Sequence, residues 1–432
     1  MSAGEGGELG TGRRDIEHAG TVPHHRVAAV RTTSRYGSFP SLHFTLGTGH
    51  QDLDRLVGRD RRFNANWLVA TVLAVATLTV VGLVVLWPRG AIDVEASELG
   101  LSSAVVEAEV TSAGDGPCSF SADLRCHLVV FRILDGEDAG SSTSEEYGLS
   151  ASTPRFEVGD RVVLNVIEDA EPLQRYQFAD RDRRPVLWAL GALFAVAVVG
   201  LGRLRGLAAL GGLAASVFVL VAFIAPAILV GHSPVLVAAV GGSAIALLAL
   251  YLAHGWNPLT HVAAIGTFAA LALTLGISSV VAAAARFSGF ASEEALFLVF
   301  VDGLDVGGLI LAGAVLGAIG ALDDITVTQA SAVFELHHIS QQTDAAELFQ
   351  SGLRVGRDHI ASTVNTLLLA YAGASMPLLL LFTLSNLPLG FVANSEVVAV
   401  EIFRTLVGSI GLVAAVPITT WLAARIVTRA DR

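Results

Sequence analysis

The feature that most constrains this chain is the length of its uncharged apolar runs. Residues 67–87 and 259–284 contain no Asp, Glu, Lys or Arg. Several other stretches reach roughly 18 to 25 apolar residues, enough to cross ~30 Å of hydrocarbon at 1.5 Å per residue. Only 15% of the chain is charged, against about 25% in soluble proteins. That deficit excludes disordered, nucleic-acid-binding and ordinary cytosolic-enzyme classes, and predicts a polytopic membrane protein.

Eight spans are expected, near 67–87, 186–201, 207–230, 235–252, 259–284, 296–322, 359–384 and 401–426. All 27 basic residues are arginine, which reads as a GC-rich coding bias and a bacterial source. Arg55, Arg59, Arg61 and Arg62 precede the first span. Arg203 and Arg205 follow the second, Arg354 and Arg357 precede the seventh, and Arg425, Arg429 and Arg432 close the eighth. With eight spans these clusters share one side, so the positive-inside rule puts both termini in the cytoplasm. Arg181, Arg183 and Arg184 dissent, but they end a long polar segment, and long translocated segments obey the rule poorly. Residues 1–62, rich in Gly, Ser, Arg and His, read as a disordered cytoplasmic tail without a signal peptide. The net charge of −12 says little about partners, because the acids sit mainly in one polar segment.

That segment, 90–178, changes to short alternating stretches separated by turn signals such as Gly114-Asp115-Gly116 and Asp135-Gly136. The pattern is that of a small β-domain, and Phe156–Leu164 suits a five-stranded barrel of the OB type. The chain's two cysteines, Cys118 and Cys126, both lie here. A disulfide closing a small loop between two strands suits an oxidising compartment; two free thiols are the other reading.

No Walker loop, GxSxG elbow or HExxH occurs, so the candidate chemistry rests on ionisable groups that interrupt apolar sequence. Asp302 and Asp305 open the sixth span and Asp323-Asp324 close it. These carboxylates either bracket the span at the two interfaces or sit inside the bilayer, where charges usually mark a pathway. Gly313, Gly317 and Gly320 make that span a helix-packing hub. Asp324, Thr328, Ser331, Glu335 and His338 follow at spacings of 4, 3, 4 and 3, which places them on one helix face. That face either lies in water along the cytoplasmic interface or lines a cavity. Glu335 and His338 form one Glu-x-x-His pair, a weak metal candidate, since di-iron bundles need two such pairs. Asp358, Asn365 and Tyr371 add polar groups at and within the seventh span.

The run from Gly313 to Ser331, followed by Glu335-Leu336, resembles the YibE/F family of bacterial multi-pass membrane proteins. The resemblance continues from Gly356-Arg357-Asp358-His359 through Asn365 and Tyr371 to Gly373, then Met376-Pro377. It extends from about Trp67 to the C-terminus. It implies an integral protein of the cell envelope and supplies no catalytic residue.

The expected fold is therefore an all-α transmembrane bundle of about eight helices, with a small extracytoplasmic β-domain between helices 1 and 2. Domains are expected at 1–62 (tail), 63–88 (first helix), 90–178 (β-domain) and 185–427 (seven helices, with a cytoplasmic amphipathic segment at 323–357). The expected function is a transporter-like permease without enzymatic activity or cofactor, with Asp305, Asp323, Asp324, Glu335 and Asp358 carrying a proton or cation and Asn365 and Tyr371 lining the path. Expected partners are the lipid bilayer, a small solute or ion, and a second copy or an envelope protein, with no nucleic acid. The rival reading is an envelope scaffold acting through its β-domain.

Overall fold

The computed structural model describes residues 66–90, 104–150, 153–167, 170, 175–290, 293–298, 301, 303–340, 342–385 and 387–430. The tail at 1–62 and Asp302 lie outside the described residues.

Helix α1 (Asn66–Val85) is apolar throughout, and the hydroxyls of Thr71, Thr77 and Thr79 donate to carbonyls four residues back. That local bond satisfies a hydroxyl which apolar surroundings would otherwise leave unpaired.

Five antiparallel strands follow: β1 (Ala104–Cys118), β2 (Ser121–Ile133), β3 (Ser142–Gly148), β4 (Arg161–Val166) and β5 (Tyr176–Arg181), in the order β3-β2-β1-β4-β5. The alternation seen in sequence has a direct cause. Val106, Ala108 and Val110 point into a core with Val129, Phe131, Val162 and Leu164, while Glu107 and Glu109 point out. Phe156 plugs that core edge-on to Phe131 and Phe178. The sheet curls until its edges meet, and the Phe178 N–H donates to Glu145 Oε1 across the gap at 2.6 Å. A disulfide joins Cys118 to Cys126 at the tip of the β1–β2 hairpin.

Beyond the sheet the described chain is helical. Helix α2 (Arg184–Val219) leads through a π-helical turn (Leu220–Ile224) into α3 (Ala225–Leu229). This element would be about 69 Å long if straight, but it is not straight. Arg203 adopts φ 51° and ψ −128°, and a Cβ at Gly206 would overlap the Val198 carbonyl. The chain therefore doubles back at Arg203, and Gly206 is the residue that lets the two arms touch. Helices α4 (Pro234–His254) and α5 (Pro258–Ala285) are joined by a turn in which Asn257 caps α5 through the Thr260 N–H at 2.9 Å. After the short α6 (Glu293–Phe297) come α7 (Val306–Ile339), α8 (Ala345–Ala374), α9 (Met376–Leu384), α10 (Leu389–Asn394) and α11 (Glu396–Ala430).

Six helical segments are long and apolar enough to cross a membrane: α1, the Arg184–Leu229 element, α4, α5, α7 and α11. The pair α8 and α9 meets the same test together, bent by 67°. The chain is a membrane protein. Two boundaries differ from those expected. The sixth span begins at Val306 rather than near 296, and it does not stop at Asp323-Asp324. No Gly or Pro lies between Leu322 and Ser340, so nothing breaks the helix, and 323–339 continue α7 for about 25 Å. The polar face at 324–338 thus belongs to the end of α7, not to a separate interfacial helix.

Helix α7 packs on α4, α5, α8 and α11. It carries the centre of one core cluster (Val315, Ala318, Ile319, Leu322, Ile325 with Ala270 and Leu412) and part of a second (Ala330, Val333 with Val262 and Ala423).

Candidate functional site

The helices around α7 have a definite register. A Cβ at Gly308 would lie 3.3 Å from Pro234 Cδ of α4, and one at Gly242 would overlap Ile319, so α4 and α7 run the same way. A Cβ at Gly313 would lie 3.2 Å from Arg404 Nη2, and one at Gly408 would lie 3.9 Å from the Ala318 Cβ, so α7 and α11 are also parallel. Helix α5 runs opposite to them. The Thr419 hydroxyl of α11 abuts Gly266 of α5, and the Thr274 hydroxyl of α5 abuts Gly411 of α11.

That register brings polar groups together along the seam of α5, α7 and α11. Thr267 and Thr326 share a hydroxyl hydrogen bond of 2.7 Å, and Thr326 also donates to the Asp323 carbonyl at 3.1 Å. Gln329 Nε2 donates to the Gly352 carbonyl at 2.8 Å and to Thr420 Oγ1 at 2.7 Å. Gly352 and Gly356 of α8 make this approach feasible, since a Cβ at either would crowd Gln329 and its neighbours. Several buried oxygens on the same helices have no hydrogen-bond partner among the described residues: the hydroxyls of Thr260, Ser278, Ser409 and Thr419, and Asp323 Oδ1. A buried polar atom left unpaired costs about 1–3 kcal/mol. Five such oxygens along the α5, α7 and α11 seam make it more polar than an ordinary apolar helix contact.

One end of the seam holds a charge pair. Arg404 Nη1 donates to Glu401 Oε1 at 2.7 Å, and Arg404 Nε is buried without a partner among the described residues. The Tyr371 hydroxyl of α8 reaches over Gly317 of α7 on the same side. Beside the pair lies a cavity of about 280 Å³ whose walls include Leu309, Ile310, Ser375, Leu378 and Val400. Arg404 is level with Gly313, and Asp323 lies ten residues further along α7, about 15 Å away. Both levels fall within the length of α4, whose 21 residues contain no Asp, Glu, Lys or Arg. The charges therefore sit beside uncharged helix, which locates the candidate site here.

The expected residues divide accordingly. Tyr371 joins the site, and Asp323 is half-buried on it. Asp305 caps α7, accepting from the Gly308 N–H at 2.9 Å, and so has a structural task. Asp324, Glu335, His338, Asp358 and Asn365 are exposed on the outside of the bundle. Gly313 and Gly317 lie under Arg404 and Tyr371, whereas Gly320 has open space above it. Among the described residues no three His, Cys, Asp or Glu side chains form a group that could hold a metal ion, so Glu335 and His338 gain no further ligand. Sequence reading missed Glu401 and Arg404, taking Glu401 as the edge of a span. It also missed Thr260, Thr267 and Thr274, whose seven-residue spacing in an uncharged helix was the available signal.

The sequence model of a family described as YibE/F-like protein matches residues 190–429, more than half of the chain. The chain belongs to the YibE/F family. The match covers the seam, the charge pair and the cavity, and begins after the β-domain and α1, where the resemblance was expected to extend. No curated protein and no solved structure matches the chain.

Proposed function

We propose that this YibE/F member is a permease of the bacterial plasma membrane that moves a small solute or ion down a coupled proton or cation gradient, without catalysing a reaction. One observation carries the reading: the Glu401–Arg404 pair and the unpaired hydroxyls of the seam lie level with helices that contain no charge. Ionisable and polar groups at such depth are expensive, and they recur where solutes or protons pass.

The topology that goes with it has eight crossings. The reversal at Arg203 divides the Arg184–Leu229 element into two, and the bent α8–α9 pair counts as one. Arg203, Arg205, Arg425 and Arg429 then fall at the end of the bundle where α1 begins and α11 finishes. The positive-inside rule makes that end cytoplasmic and leaves the β-domain outside.

The test is reconstitution of the full chain into vesicles loaded with a pH-sensitive dye. Small solutes are screened for proton movement, and a Glu401→Gln protein is run in parallel. Solute-dependent proton movement in the parent, absent from the variant, is expected. A parent protein that complements a deletion strain yet moves neither proton nor solute overturns the reading. It would favour an envelope scaffold, for which Phe120 and Leu124, exposed at the disulfide-pinned hairpin tip, offer a contact surface for an envelope protein or a second copy.

A further inference from the structure

The cavity beside Arg404 is specific about what it accepts. A guanidinium carries five N–H donors and no acceptor. Among the described residues Glu401 engages Nη1 alone, Nε is buried and unpaired, and Nη2 makes no hydrogen bond. The side chain is 27% exposed and forms part of the cavity wall. Ser375, at the bend between α8 and α9, belongs to the same wall. The Glu401 carboxylate lines the cavity too, and the rest of the surface is largely aliphatic, including Leu309 and Ile310 from α7, Leu378 from α9 and Val400 from α11. At roughly 30 Å³ per water-sized group, a space of about 280 Å³ holds about nine heavy atoms. A guanidinium with unused donors, a serine and largely apolar walls suit an anionic head on a short hydrocarbon tail, with Glu401 opposing it.

We infer that this cavity is the binding site for a small aliphatic monocarboxylate, held at its head by Arg404 and Ser375. Resting on the permease reading, this names the substrate class. The carboxylate oxygens accept from Arg404 Nη2 and Ser375 Oγ, and charge-assisted bonds of this kind are about twice as strong as neutral ones. The tail lies against Leu309, Ile310, Leu378 and Val400. Glu401 fixes the guanidinium through Nη1 and at the same time competes for it, so the two members of the pair affect the ligand in opposite senses.

The test is titration of the purified full chain in detergent with acetate, butyrate, hexanoate and dodecanoate, by calorimetry and thermal shift. Affinity is expected to rise about fourfold per added methylene up to hexanoate and to rise no further by dodecanoate, which exceeds the cavity. Detergent partition alone would keep rising. Hexanamide, with the same tail and no charge, is expected to bind at least tenfold more weakly. Arg404→Gln is expected to lose hexanoate binding, whereas Glu401→Gln is expected to tighten it severalfold by removing the competitor. If Arg404→Gln does not fold, Leu378→Trp, which fills the cavity and leaves the charge pair, is expected to abolish binding instead. Equal binding of hexanamide and hexanoate, unchanged binding in Leu378→Trp, weaker binding in Glu401→Gln, or no binding by the parent at tens of millimolar overturns the inference. Hexanoate binding without any flux would leave the site standing and defeat the permease. Flux of other solutes without hexanoate binding would do the reverse.

Discussion

The Thr419 hydroxyl of α11 lies against the bare Cα of Gly266 on α5, and eight residues along each helix Thr274 and Gly411 repeat the contact with roles exchanged. Two antiparallel helices are thereby held close at two levels, each glycine receiving the other helix's hydroxyl. Gly266→Ala and Gly411→Ala are expected to overpack this contact and to cost about 1–3 kcal/mol each. Gly320→Ala, with nothing within 4 Å of the added methyl, is expected to be neutral or slightly stabilising. Thermal unfolding in detergent distinguishes them; equal melting of all three would mean that the α5–α11 seam is loose.

The position of each carboxylate sets its importance. Asp358→Asn, on an exposed face of α8, is expected to complement a deletion strain fully, since an exposed charge contributes about 0–1 kcal/mol. Glu401→Gln is expected to express at parental levels and fail to complement. The reverse pattern would move the site to the outside of α8.

Arg203 occupies a backbone region that favours glycine, at a cost of about 1–3 kcal/mol. Arg203→Gly is expected to raise stability by about 1 kcal/mol, measured by thermal unfolding. Gly206→Leu, which drives a side chain into the Val198 carbonyl, is expected to prevent accumulation of the protein.

If the β-domain is outside, a membrane-impermeant thiol reagent should label Cys118 and Cys126 in intact cells only after reduction. Labelling that requires cell lysis would invert the topology.

On the same hairpin tip, the Ser119 N–H donates to Glu146 at 2.9 Å. That bond, with a second from the Ser119 hydroxyl, holds the Glu146 carboxyl below the usual carboxylate range. A lowered pKa means the contact stabilises the fold above the unfolded value and is lost as pH falls through the folded one. The Ser119 amide resonance should therefore titrate with a midpoint below an ordinary Glu, about 4.3, and the transition should vanish in Glu146→Gln.

Much of the architecture was readable in the residues. An uncharged run such as 259–284 has few ways to fold, and the alternation of Val106, Ala108 and Val110 around Glu107 and Glu109 fixes which strand face is buried. The site was less legible because it depends on register between helices. Glu401 and Arg404 lie near the start of α11 and read as its polar border; only the parallel packing of α11 on α7, with Gly313 opposite Arg404, shows that neighbouring helices are uncharged at that level. Conversely, Asp324, Glu335 and His338 share a face as their spacing requires, but spacing does not say which face meets the bundle. The continuation of α7 past Asp323 was legible in principle, from the lack of Gly or Pro up to Ser340.

The reversal at Arg203 has a consequence for the whole chain, because it fixes parity. In the proposed eight-crossing topology this turn adds one passage across the bilayer, and the even total puts both ends of the bundle on one side. Under that topology a single backbone conformation, in a segment that contributes nothing to the candidate site, decides which way every later helix points. Were that turn straightened, α4 to α11 would enter with the opposite sense, and the cavity beside Arg404 would face the other compartment.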